Sequence, residues 1–141
     1  PAESAIHVYD AESMTPVARW SVERPDKLAL DHDGRVWALQ RPAAADRPWR
    51  AVRFTHEGEP SAELVFDPQV RPTDLCVDRR GRLLVTDGGR DAQVKIFDAS
   101  GQTPRELEPF GEPGGILAGP VPGRFGDRRF NHLRGVGVDD A

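Results

Sequence analysis

Three arginines, Arg71, Arg90 and Arg134, stand with Asp74, Asp87 and His132 in short polar stretches that border apolar runs: RPTD (71–74), DGGRD (87–91) and NHLR (131–134). A guanidinium offers a planar fork of donors matched to a carboxylate or phosphate. Three of them at comparable places along the chain point to a site for a small anion. The competing reading pairs them with Asp74, Asp87 and Asp91 as solvated loop charges, which contribute little. Other chemistry is thinly represented. His7, His32, His56 and His132 show neither HxH nor HExxH spacing. No GxSxG elbow, phosphate-binding loop or CxxC pair occurs, and DHDG (31–34) lacks the acidic residues of a calcium loop. The lone Cys76 lies in an apolar run and reads as a small core side chain. No catalytic set and no cofactor motif emerge, which favours a non-enzymatic chain.

Composition narrows the classes further. Of 141 residues, 38% are apolar and 30% charged, and 14 Gly with 13 Pro make the chain rich in turns. That suits one globular unit with a real core. The net charge of −4 and the absence of a stacking series among Trp20, Trp37 and Trp49 argue against a nucleic-acid partner. No run approaches the ~20 apolar residues of a membrane segment, and no targeting signal indicates a compartment. The chain begins at Pro1 without Met, which reads as a segment of a longer polypeptide.

The elements that must position those polar stretches are short strands. LCV (75–77), LLVTD (83–87), VKIFD (94–98) and RELEPF (105–110) follow one another across Asp/Gly turns, the pattern of an all-β antiparallel meander. The same order precedes it. RPDKLALDHDGRVWALQ (24–40) lies over RPTDLCVDRRGRLLVTD (71–87) without a gap, Gly34 meeting Gly81 at an offset of 47. RAVRFTHEGEP (50–60) matches QVKIFDASGQT, and IHVYDAES (6–13) matches VKIFDASG. Such repetition predicts stacked four-stranded units. The inner strands LAL, LCV and VGV should be covered on both faces. The third strands, carrying Arg53 and Lys95, should be more exposed. The recurrent Asp10, Asp31, Asp78, Asp98 and Asp139 read as turn residues that accept local backbone N–H groups.

With FNHLRGVGVD (130–139) and LLVTDGGRDAQVKIFDASG (83–101), the chain resembles the NHL repeat, with Leu133 where that family usually has proline. The resemblance implies a six-bladed β-propeller, of which this chain is about half: the end of a blade over 1–22, complete blades over 23–67 and 70–110, a Gly/Pro-rich connection over 111–129, and the first strand of a further blade over 130–141. It implies that the loops entering the inner strand and those between the second and third strands share one ligand face. Arg71, Asp74, Asp87, Arg90, His132 and Arg134 fall on it. A binding or scaffold module for protein or a small anionic ligand follows, with the remaining blades as partners. Part of a propeller enzyme, a lactonase-like hydrolase or a metal-dependent lyase, is the alternative, its divalent metal held in the channel of the complete ring. RNA binding is a weaker option.

Overall fold

Residues 4–139 are described by a computed structural model that is almost wholly β. Strands β1 (Ala5–Tyr9) and β2 (Pro16–Ser21) form a two-stranded sheet, sheet 1. Strands β3 (Pro25–Leu30), β4 (Val36–Gln40), β5 (Arg50–Phe54) and β6 (Pro60–Val65) form sheet 2 in sequential order. Strands β7 (Pro72–Val77), β8 (Arg82–Asp87), β9 (Val94–Asp98) and the short β10 (Arg105–Glu106) form sheet 3 in the same order. All pairings are antiparallel, so each sheet is an up-and-down meander, with tight turns at β3–β4 and β7–β8 and a longer loop, 41–49, between β4 and β5.

Sheets 2 and 3 share one register. Pro25 faces Gln40 as Pro72 faces Asp87, and a bulge follows both prolines. The turns at the far ends are wired alike. Asp31 Oδ1 accepts the N–H groups of Asp33 (3.0 Å) and Arg35 (2.9 Å), and Asp78 Oδ1 those of Arg80 and Arg82 (2.9 Å each). Each second carboxylate oxygen takes the Nε–H of the same arginine, at 2.8 Å and 2.6 Å. Gly34 (φ +77°) and Gly81 (φ +73°) close the turns in the left-handed region, which a side chain would strain. Burial opposes the charge of Asp78, but the hydrogen bonds from Arg82 and Arg80 outweigh it and hold the carboxyl below its ordinary range. Asp10 and Asp98 cap their turns through Ser13 and Ser100. The aspartates are turn locks.

Period-2 alternation sends the two faces of β4 to different cores. Trp37 and Leu39 pack with Leu64, Phe66, Leu75, Leu83, Val85 and Phe97 in the core between sheets 2 and 3. Ala38 joins Ile6, Trp20, Val22, Val52 and Phe54 in the core between sheets 1 and 2. Aromatic pairs cross both junctions: Phe66 meets Phe97 edge-on at 5.9 Å, and Trp20 stacks on Phe54 at 6.4 Å.

Two expectations need correction. Arg53 and Lys95 are buried, not exposed, with 5% and 8% of their surface accessible. Each lies on a face covered by a neighbouring sheet, and each is fully engaged. Arg53 donates to Ser61 Oγ (3.1 Å), Ala99 O (3.0 Å) and Gly101 O (3.3 Å), and its guanidinium lies 5.7 Å over the Trp37 ring. Burial first, and then the charge of Arg35, lowers its pKa from the ordinary arginine value. Lys95 Nζ donates to Asp91 Oδ2 (2.8 Å) and Gln93 Oε1 (3.3 Å). Nor are the inner strands covered on both faces throughout. The central strands β4, β5 and β8 are the most deeply buried, whereas β3 and β7 are sheet edges. Leu28 and Leu30 of β3 are exposed, whereas the matching Leu75 of β7 is buried.

Residues 111–129 pack against the 91–93 loop, with a short 3-10 turn at Gly115–Leu117. Phe110 packs on Phe130 at 5.7 Å, and Arg129 ties the loop through Glu112 (2.8 Å) and Ala118 O (3.1 Å). Residues 130–139 lie along β7 without joining a ladder among the described residues; the last two positions of the strand expected over 130–141 fall outside them.

Arg53→Met keeps the aliphatic stem and removes every donor of the inter-sheet clamp. It should lower the unfolding free energy by about 2 kcal/mol, measured by urea denaturation; a loss within about 0.5 kcal/mol, typical of inert surface positions, would show that the clamp contributes nothing.

Candidate functional site

One rim is built where β7 begins, β8 ends and the 131–136 segment passes. Strand β8 delivers Asp87, 1% exposed, to the mouth of the next loop. Its Oδ1 accepts the backbone N–H of Arg71 (2.8 Å) and of Gly89 (2.8 Å), while Gly88 N–H donates to Arg71 O at 2.9 Å. The carboxylate therefore joins the entry of β7 to the 87–91 loop. A Cβ on Gly88 would fall 2.8 Å from the Thr73 methyl, and one on Gly89 2.7 Å from Gln69 O, so both glycines permit this close approach.

A hydroxyl pair fastens the third piece. Thr73 Oγ1 lies 2.8 Å from Thr86 Oγ1 and donates to Leu133 O at 2.9 Å, and Thr86 Oγ1 reaches Asp74 O at 3.3 Å. Asp74 Oδ2 accepts the Val136 N–H at 3.2 Å. Thr73 and Thr86 escaped the sequence reading because a threonine in a strand looks like an ordinary β-former. Their offset from the rim aspartates was the only signal, Thr73 beside Asp74 and Thr86 beside Asp87.

The six residues picked from sequence thus divide. Asp87 and Asp74 each accept backbone N–H groups through one oxygen, two at Asp87 and one at Asp74. Arg71 anchors the loop through its main chain, and its guanidinium donates to Pro68 O (2.6 Å) and Val70 O (3.2 Å). Arg90, His132 and Arg134 are exposed, and none makes an ion pair with a carboxylate among the described residues. His132 holds φ at +50°, a left-handed conformation that fixes how the 131–136 segment turns onto β7. The result is a scaffolded rim carrying three exposed side chains with donor groups, beside an Arg71 that makes no ion pair with a carboxylate among the described residues.

Among the described residues, no three His, Cys, Asp or Glu side chains come together in a way that would hold a metal ion, and no helix is long and apolar enough to cross a membrane. Cys76 is half-buried on β7. Burial first, and then the charges of Asp74 and Asp78, push its thiol up to about 11. The thiolate is the reactive species, so at pH 8 native Cys76 should react with Ellman's reagent far more slowly than free cysteine and reach full reactivity only on unfolding; fast stoichiometric labelling of the folded protein would contradict this.

No protein-family model matches the chain, and no curated protein matches it at a significant level of similarity.

Proposed function

We propose that the chain is part of an NHL-like, six-bladed β-propeller and acts as a binding or scaffold module, taking protein or small anionic ligands on the rim at Arg71, Arg90, His132 and Arg134. The observation that carries the binding reading is the fate of the acids. A rim of mutually neutralised loop charges needs Asp74 and Asp87 to pair with the arginines. Each carboxylate instead accepts backbone N–H groups through one oxygen and makes no ion pair with Arg71, Arg90 or Arg134 among the described residues, and Arg90 and Arg134 face solvent. An anion then meets positive charge held on a scaffold already organised by hydrogen bonds, which lowers the ordering cost of binding.

What supports the propeller reading is the shared pairing of β3–β4 and β7–β8 at the offset of 47, together with the closeness of β3 to β7. The uneven burial of β3 and β7 supports it as well. Leu28 lies on the face of sheet 2 that sheet 1 covers, since it pairs with Ala38. Sheet 1 has two strands and reaches β4 and β5 but leaves Leu28 and Leu30 open. Two more strands on the free edge of β1 would cover that column, as sheet 2 covers Leu75. The partners in this reading are the remaining blades.

Two measurements test the proposal. Arg90→Ser combined with Arg134→Ser should leave the melting temperature unchanged and weaken binding of citrate or of an acidic peptide by about tenfold in a calorimetric titration; unchanged affinity would remove the rim from the account. In the full-length chain, Leu28→Ala should cost about 2–3 kcal/mol, as expected of a covered core leucine. A cost near zero would mean that no further sheet packs on β3.

A further inference from the structure

At the end of the sheets opposite the rim, the β3–β4 turn, the β7–β8 turn and residues 99–100 border a groove of about 280 Å³. Its lining sets three arginines, Arg35, Arg53 and Arg79, against two aspartates, Asp31 and Asp33, with the exposed His32 beside them. Both acids are already engaged. Asp31 accepts the turn N–H groups and Arg35 Nε–H (2.8 Å), and Asp33 Oδ2 accepts Arg35 Nη2–H at 2.6 Å. Arg35 is therefore matched by two carboxylates, whereas Arg53 forms no ion pair among the described residues.

Each nitrogen of Arg53 donates once within the protein, but its acceptors, Ser61 Oγ, Ala99 O and Gly101 O, are all uncharged. Its hydrogen bonds are met and its charge is not. The matching place in sheet 3 shows that the fold does not require a charge there. Arg53 pairs with Trp37 across β5 and β4, and the same register sets Ile96 opposite Leu84 across β9 and β8. A cation in place of an aliphatic side chain is costly to bury. The lowered pKa of Arg53 agrees, since burial and the charge of Arg35 outweigh the opposing pull of Asp31 and Asp33.

We propose that this groove binds a small, multiply charged oxyanion, a phosphate group, among Arg35, Arg53 and Arg79. The anion supplies the counter-charge that Arg53 lacks, and the exposed Arg79 offers it a planar fork of donors. A doubly charged anion is favoured over a carboxylate because it must prevail against Asp31 and Asp33 in the same lining. The site is independent of the rim, which lies at the other end of the strands.

The test is a titration of the full chain with inorganic phosphate at pH 8, ionic strength held constant with sodium chloride, followed by nitrogen-15 amide spectra. Phosphate should shift the backbone amides of Arg79, Gly81 and Ser100 saturably, with a dissociation constant on the order of 1 mM, and should raise the melting temperature. Arg79→Gln should bind about tenfold more weakly. Arg80→Gln removes the same charge from the same turn but lies outside the groove lining, and should change the affinity by less than about twofold. The shifts should persist when Arg90 and Arg134 are both replaced by serine, which separates this site from the rim. Phenyl phosphate in a parallel titration identifies the source: tighter binding than inorganic phosphate assigns the site to a monoester, weaker binding to the free ion. The proposal is overturned by an absence of saturable shifts up to about 50 mM phosphate, by undiminished binding in Arg79→Gln, by equal losses in Arg79→Gln and Arg80→Gln, or by loss of the shifts with the rim arginines.

Discussion

A sheet with apolar side chains on both faces cannot be stable alone, and this constraint governs the molecule. Strand β4 sends Trp37 and Leu39 one way and Ala38 the other, so sheet 2 needs a neighbour on each side. Sheet 3 supplies one and sheet 1 the other. The stacking is therefore a consequence of the side-chain period, and the two cores share a single sheet as their common wall. Burial of large side chains such as Trp37, Leu39 and Leu83 supplies the main driving force.

Polar groups then decide where the sheets end and how they are held together. The aspartate turns fix the ends of the β3–β4 and β7–β8 hairpins with the same set of bonds. Arg53 reaches across to the carbonyls of Ala99 and Gly101 and thereby ties sheet 2 to a turn of sheet 3. Its position in the middle of an apolar junction is tolerated because each of its three nitrogens donates to a hydroxyl or carbonyl and the guanidinium lies over the Trp37 ring. A lysine could not reproduce that planar fork.

Much of this was legible in the sequence. The alternating runs gave the strands, and the offset of 47 gave the matching of 24–40 with 71–87, because hairpin turns with Asp and Gly constrain the local chain strongly. The turn role of Asp31 and Asp78 followed from their recurrence. Burial of Arg53 and Lys95 was not legible, since a charged residue between apolar neighbours looks like a solvent-facing position until its distant carbonyl and carboxylate partners are known. The rim was only half legible. Its arginines could be named, but the occupation of Asp74 and Asp87 by backbone donors depends on how the 131–136 segment and the 87–91 loop fold back onto β7, and no local pattern encodes that.

The inner edges of sheets 2 and 3 bring β3 and β7 close together, each with unpaired backbone groups on that side. Unpaired groups on a strand edge are a template on which a further strand can pair. Each begins with a proline, Pro25 or Pro72, and each is bulged directly afterwards. Proline offers no N–H, and a bulge puts the following groups out of step. Both edge strands therefore begin irregularly, and an edge that starts with a proline is a poorer template for a further strand.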